Sequence, residues 1–221
     1  MALTIINDTA LHEAAHCIMS YLFNDLFHVN FVTANSYLSR QQDASSLGGL
    51  SASLSKKVGT LKLEDHDAMV LICLAGLAAD DINHCNNIIT DQLYDNALFA
   101  NNMRSKKYSG DFNLLYPHLR RVIWISCVEQ RSYTRGCQQL LHEIFSNVIV
   151  LPVLIGLRNE IDSKPNKTLT GKEIIDYLDK SQLNDWRENE WKNIYSQRIN
   201  SIKNEKHFIK KFFFRLRWVL S

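Results

Sequence analysis

The pentapeptide His12-Glu13-Ala14-Ala15-His16 constrains this chain more than any other feature. Histidines four residues apart share one face of an α-helix, so the segment must be helical for the pair to act together. On such a face two imidazoles can grip one Zn²⁺, and Glu13 then stands beside a metal-activated water whose proton it can take. The competing reading is a plain amphipathic helix with two half-buried histidines. The surrounding sequence has to decide between them.

The helix has a clean start. Asn7, Asp8 and Thr9 offer capping oxygens, and good helix formers run from there to Leu22. Beyond it, His28 to Ala34 reads as a short strand, Asn35 to Ser46 as a polar loop, and Gly48 to Leu54 as a second strand. A helix from about Glu64 to Ile82 is almost entirely apolar between Met69 and Ala79, which places it in the core. Thr90 or Asp91 can cap a helix running to about Met103. Two long helices are expected over Asn113 to Val128 and Thr134 to Ile161, then a break at Ser163 to Asn166 and a short helix from Gly171 to Leu178. Only eight glycines and three prolines interrupt 221 residues, in keeping with a mostly α fold.

A formal net charge of +2 is too small to argue for a nucleic-acid partner. Five cysteines with no CxxC pair make a disulfide framework a poor reading and point to a reducing, cytoplasmic setting. Cys17 follows a candidate ligand but points off the His12/His16 face, as a core residue does. The first eight residues lack the features of a signal peptide, and no run reaches the length of a membrane-spanning helix.

An HExxH helix needs at least one more ligand. The metzincin pattern requires Gly and His where this chain has Met19 and Leu22, which excludes that class. A glutamate from a following helix would have to be Glu64, whose flanks do not suit the role. Asp80, Asp81, Asp91 and Asp95 are the better supply. Asp80 and Asp81 read first as solvating the end of the apolar helix, and second as partners of a ligand histidine. The other histidines, His28, His66, His84, His118, His142 and His207, read as surface or satisfied polar residues.

These landmarks resemble a known family, the peptidase domain of FtsH-type zinc proteases (peptidase family M41). His12-Glu13-Ala14-Ala15-His16 is similar to its HEAGH helix, with Ala15 for the usual glycine. Cys73-Leu74-Ala75-Gly76-Leu77-Ala78-Ala79-Asp80-Asp81-Ile82 is similar to its Gly-Gly-x-Ala-Ala-Glu-Glu segment, keeping one glycine of the pair. Thr90-Asp91 resembles the segment that carries the third ligand, and Leu169-Thr170-Gly171-Lys172-Glu173-Ile174 resembles a Leu-x-Gly-x-Glu-Ile signature. The matches keep their order over residues 9 to 180. The resemblance implies a helical FtsH peptidase-like domain with a small two- or three-stranded β element after the HExxH helix. It implies zinc held by His12, His16 and Asp91, with Asp95 as the alternate, and Glu13 as general base. FtsH proteases also carry an ATPase module, whereas this chain has no GxxxxGK[ST] motif and is expected to act without its own motor on flexible peptides or unfolded proteins.

Domain organisation follows a change in composition. Residues 1–183 are expected to form the peptidase-like domain. Residues 184–221 form an extension that ends in a basic, aromatic run from His207 to Leu220, suited to a protein partner or an anionic membrane surface. Two further readings stay open: a catalytically silent zinc-binding adaptor, and a zinc hydrolase of non-peptide amides.

Overall fold

The computed structural model describes residues 8–35, 49–85, 109–122 and 127–204. Its elements are α1 (Thr9–Leu22), β1 (Phe27–Thr33), β2 (Gly49–Leu54), α2 (Leu63–Cys85), α3 (Ser109–Val122), α4 (Cys127–Phe145), α5 (Val150–Ser163), β3 (Thr168–Thr170), α6 (Gly171–Asp179) and the single turn α7 (Leu183–Trp186). The fold is mostly α with one three-stranded antiparallel sheet, in the order β2-β1-β3. Expected strands and core helix fall where the pattern put them, and the sheet takes its third strand from far along the chain.

α2 explains the rest of the packing. Its middle is apolar all round, and such a helix is stable only when covered on all sides. Val70, Leu71, Leu74, Ala75 and Ala78 are all buried, and α1, α3 and α4 pack against it. Each fully buried Leu or Val contributes roughly 1.5–3 kcal/mol relative to exposure. Polar contacts fix the register: His66 and His118 meet Nδ1 to Nδ1 at 2.8 Å between α2 and α3, and Tyr133 on α4 donates to Asp67, which is fully buried.

α1 lies between α2, α5 and the sheet, with Leu11, Ala14, Ala15 and Ile18 buried. Ala15 is wholly enclosed, so its methyl group fits where the resemblance has glycine. Asp8 caps the helix: its Oδ1 accepts from Leu11 N at 3.0 Å and its Oδ2 from Arg158 Nε on α5 at 3.0 Å. At the other end Tyr21 donates to Asp179 of α6 at 2.7 Å.

The Leu169-to-Ile174 signature has a local physical cause. Leu169 and Ile174 are buried, while Thr170 and Glu173 form a reciprocal capping box that starts α6. Gly171 is required by close approach. A Cβ there would lie 1.9 Å from the Val29 carbonyl oxygen of β1, beside the bulge between Val29 and Phe31.

Two helix expectations need correction. The stretch from Thr134 to Ile161 is two helices, bent by 84° across residues 146–149. Asn147 Oδ1 accepts from Ile149 N at 2.8 Å, so a local side-chain bond competes with the helical ladder. Pro152 then sits in the first turn of α5, where its missing N–H is harmless. α3 begins at Ser109 rather than Asn113, which brings Asp111 into its first turn. The helix expected from Thr90 to Met103 lies outside the described residues.

By internal contacts the chain divides into Met1–Leu183 and Asn184–Ser221. In the second unit a π-helical turn, Arg187–Trp191, advances one residue further per turn than an α-helix. That spacing stacks Trp186 on Trp191 (6.2 Å), and the ordinary i,i+4 spacing that follows stacks Trp191 on Tyr195 (5.4 Å). The basic aromatic run from His207 to Leu220 lies outside the described residues. Among the described residues, no single helix is long and apolar enough to cross a membrane.

The shared cap at Asp8 makes a quantitative prediction. Asp8→Ala should lower unfolding stability by roughly 1–2 kcal/mol in urea titration, since it removes both a cap and an ion-pair partner. Asp8→Asn keeps the capping oxygen and should lose less than half of that.

Candidate metal centre

His12 and His16 project from one side of α1 towards α2 and the start of α3, and both are largely enclosed. Their orientation is set at Nδ1. His16 Nδ1 lies 2.7 Å from the Ile72 carbonyl oxygen, which can only accept, so this nitrogen carries a proton. His12 Nδ1 lies 3.2 Å from Asp80 Oδ2, on α2, and donates to it. Asp80 is therefore buried against His12, as in the second of its two readings, rather than only capping or solvating a helix end; α2 continues past it to Cys85.

With both Nδ1 atoms so engaged, a neutral imidazole at either position presents a lone pair at Nε2. The two Nε2 atoms face one another at 3.1 Å. Asp111 completes the group, with Oδ2 at 3.2 Å from His12 Nε2 and Oδ1 at 3.5 Å from His16 Nε2. Three acceptor atoms thus converge, all within 4.8 Å of one another. Such a point must hold positive charge, as protons or as a metal cation. Ligand atoms around a tetrahedral ion of zinc's size sit about 3.3–3.6 Å apart, and the nearest pairs here, at 3.1–3.5 Å, are close to that spacing.

The protonation equilibria follow from this crowding. Burial by itself lowers the pKa of His12, but the Asp111 and Asp80 carboxylates outweigh it and hold the imidazole well above its usual 6.5. His16 is treated likewise: burial lowers it, Asp111 more than compensates, and the result lies above 6.5. Asp111 is disfavoured as an anion by burial, yet the two histidines pull it well below the usual carboxylate range. Glu13 is buried beside them, and desolvation raises its pKa to about 7 against the lowering effect of His12 and His16. A base of that strength suits proton transfer near neutral pH. Cys17 and Cys73 are free, buried thiols held protonated, by burial first and then by Glu13 and Asp111 respectively.

Of the residues singled out from sequence, the fold assembles His12, Glu13 and His16 in one place. Asp91 and Asp95 lie outside the described residues. The carboxylate that meets the histidines among the described residues is Asp111, which sequence reasoning passed over. Its signal was Ser109-Gly110-Asp111, a helix start with an acidic residue in the first turn.

In the metal-free protein these shifts amount to a stability profile. Glu13, His12 and His16 all have folded pKa values above their ordinary ones, so each contributes stability that is complete below its ordinary pKa and lost as pH rises through the folded one. Asp111 has the opposite sign, and its contribution is lost only in strong acid. Chelator-treated protein should therefore be more stable at pH 5 than at pH 8. Glu13→Gln should remove about 3 kcal/mol of that difference, read by urea unfolding at both pH values. Equal pH dependence in the two proteins would contradict the burial of an ionisable Glu13.

Comparison with protein-family models and with curated proteins gives no match, so the likeness to FtsH-type peptidases stands on the residues quoted above and on nothing wider.

Proposed function

We propose that this chain is a zinc-dependent metallopeptidase acting on extended or unfolded polypeptides. One observation carries the reading: the Nε2 atoms of His12 and His16 and the Asp111 carboxylate converge beside the buried carboxyl group of Glu13, three atoms that all accept once the imidazoles are neutral. His12, His16 and Asp111 would hold the ion. When bound, zinc supplies Lewis acidity, making a water acidic near neutral pH and polarising a carbonyl.

The chain's own residues account for the remaining chemistry. Glu13 accepts the proton of the attacking water, and the same proton passes to the departing amine, so the peptide bond is exchanged for a carboxyl and an amino group. Desolvation keeps Glu13 a stronger base than an exposed glutamate, while a bound cation draws its pKa down again. Asp80 and the Ile72 carbonyl keep the Nδ1 protons in place, leaving Nε2 free for the metal. β2 lies at an edge of the sheet, and an extended substrate could add there through backbone hydrogen bonds, which would give broad sequence preference. Hydrolysis itself draws on no nucleotide.

The test is zinc content and cleavage of an unfolded protein substrate. Wild-type protein should bind close to one zinc per chain and cleave the substrate. Glu13→Gln should keep the zinc and lose at least about 100-fold in rate. Asp111→Ala should weaken zinc binding by more than about 10-fold, whereas Asp91→Ala and Asp95→Ala should not, which separates the three aspartates. Bound zinc with no Glu13-dependent cleavage would favour a silent zinc-binding protein. Cleavage of small amides but not of peptides would favour the non-peptide hydrolase.

A further inference from the structure

A glycine in the middle of a buried helix has to be accounted for. Gly76 lies in the most apolar part of α2, where alanine or leucine would serve helix stability better. Nothing about α2 as a helix calls for it. The reason lies on α1: a Cβ at position 76 would stand 2.4 Å from His12 Cε1 and Nε2 and 2.6 Å from Cδ2. Ordinary contact between such atoms begins near 3.5 Å, so a methyl group there and the ring as placed exclude one another. By contrast, Gly136 in α4 has open space where its Cβ would be.

The imidazole cannot simply step aside. Its Nδ1 end is tied to Asp80, one helical turn beyond Gly76 on α2, and its Nε2 end faces His16 and Asp111. The ring therefore lies along one turn of α2, with Asp80 as its hydrogen-bond anchor and Gly76 as the clearance under its other end. We propose that Gly76 and Asp80 form a socket on α2 that positions His12 for metal binding, Gly76 by admitting the Nε2 edge against the helix backbone and Asp80 by fixing the Nδ1 edge. Both are positioning residues and neither ligates. The inference rests on the metal reading of His12, His16 and Asp111, and it adds that the affinity of that site is set from the neighbouring helix.

The experiment uses the whole chain and reads zinc affinity by chelator competition, the Co²⁺ absorption spectrum of the substituted site, and helicity with the thermal midpoint of the metal-free protein. Gly76→Ala should keep its helicity, lose roughly 10–100-fold in zinc affinity and change the Co²⁺ spectrum. Gly136→Ala should match the wild type in zinc affinity and in the Co²⁺ spectrum, with a midpoint raised as alanine favours the helix. A purely structural glycine predicts the reverse for Gly76→Ala: an unchanged site and a raised midpoint, as alanine favours the helix. That result overturns the proposal. If Gly76→Ala fails to fold, the socket is judged at its other end. Asp80→Ala should then lose a similar factor in affinity, and Asp80→Asn, whose amide oxygen still accepts from Nδ1, should recover most of it. Wild-type affinity in Asp80→Ala overturns the proposal equally. Zinc that fails to bind the wild type, or binds regardless of His12→Ala, removes the metal reading and the socket with it. His12-dependent zinc with an unaltered Gly76→Ala site removes the socket alone.

Discussion

The two hydrogen bonds at Nδ1, from His16 to the Ile72 carbonyl and from His12 to Asp80, are the constraint on which the centre depends. Both acceptors sit on α2. Without them each imidazole could rotate or change tautomer, and the two Nε2 lone pairs would have no reason to meet. With them, the face of α1 acquires a fixed chemical character, and Asp111 has a defined point to approach. The apolar girth of α2 keeps this geometry in register, because a helix covered on every side has little freedom to slide. Core packing and site chemistry are here the same contact seen from two directions.

That contact also sets the electrostatic balance. Two carboxylates and a buried glutamate surround two imidazoles; His12 and His16 shift towards the protonated cation, Asp111 towards the anion and Glu13 towards the neutral acid. A divalent ion at these three atoms would compete with protons, so its affinity would rise with pH over the range in which the histidines release their protons. Glu13 stands slightly apart, basic through burial rather than through pairing.

Much of this was legible in the chain. Asp8 and the apolar spacing up to Leu22 announced α1, and a run without polar breaks announced α2. Thr170, Gly171 and Glu173 encode a capping box and a close approach within four positions, which is why so short a signature can be read. Asp111 was missed because its helix was started at Asn113, two residues too late to show it as part of a first turn. The break at residues 146–149 was missed because apolar periodicity persists across it; the deciding bond, Asn147 to the Ile149 amide, is local and polar. Asp80 was misjudged because the end of α2 was placed near Ile82. A carboxylate near a helix end reads as solvated until a histidine from another helix is known to lie beside it.

One feature of the connectivity bears on when the chain becomes chemically competent. The HExxH helix comes early in the sequence, but the groups that grip its ends, Arg158 at its cap and Asp179 on Tyr21, come late, as does β3, which pairs with β1. These contacts span separations of 150, 158 and about 135 residues. A chain emerging from the ribosome therefore displays its histidines and Glu13 long before their framework exists, and topologies of this kind close late. Whatever chemistry His12, Glu13 and His16 support must then wait for a finished domain, since the contacts that hold their helix close last.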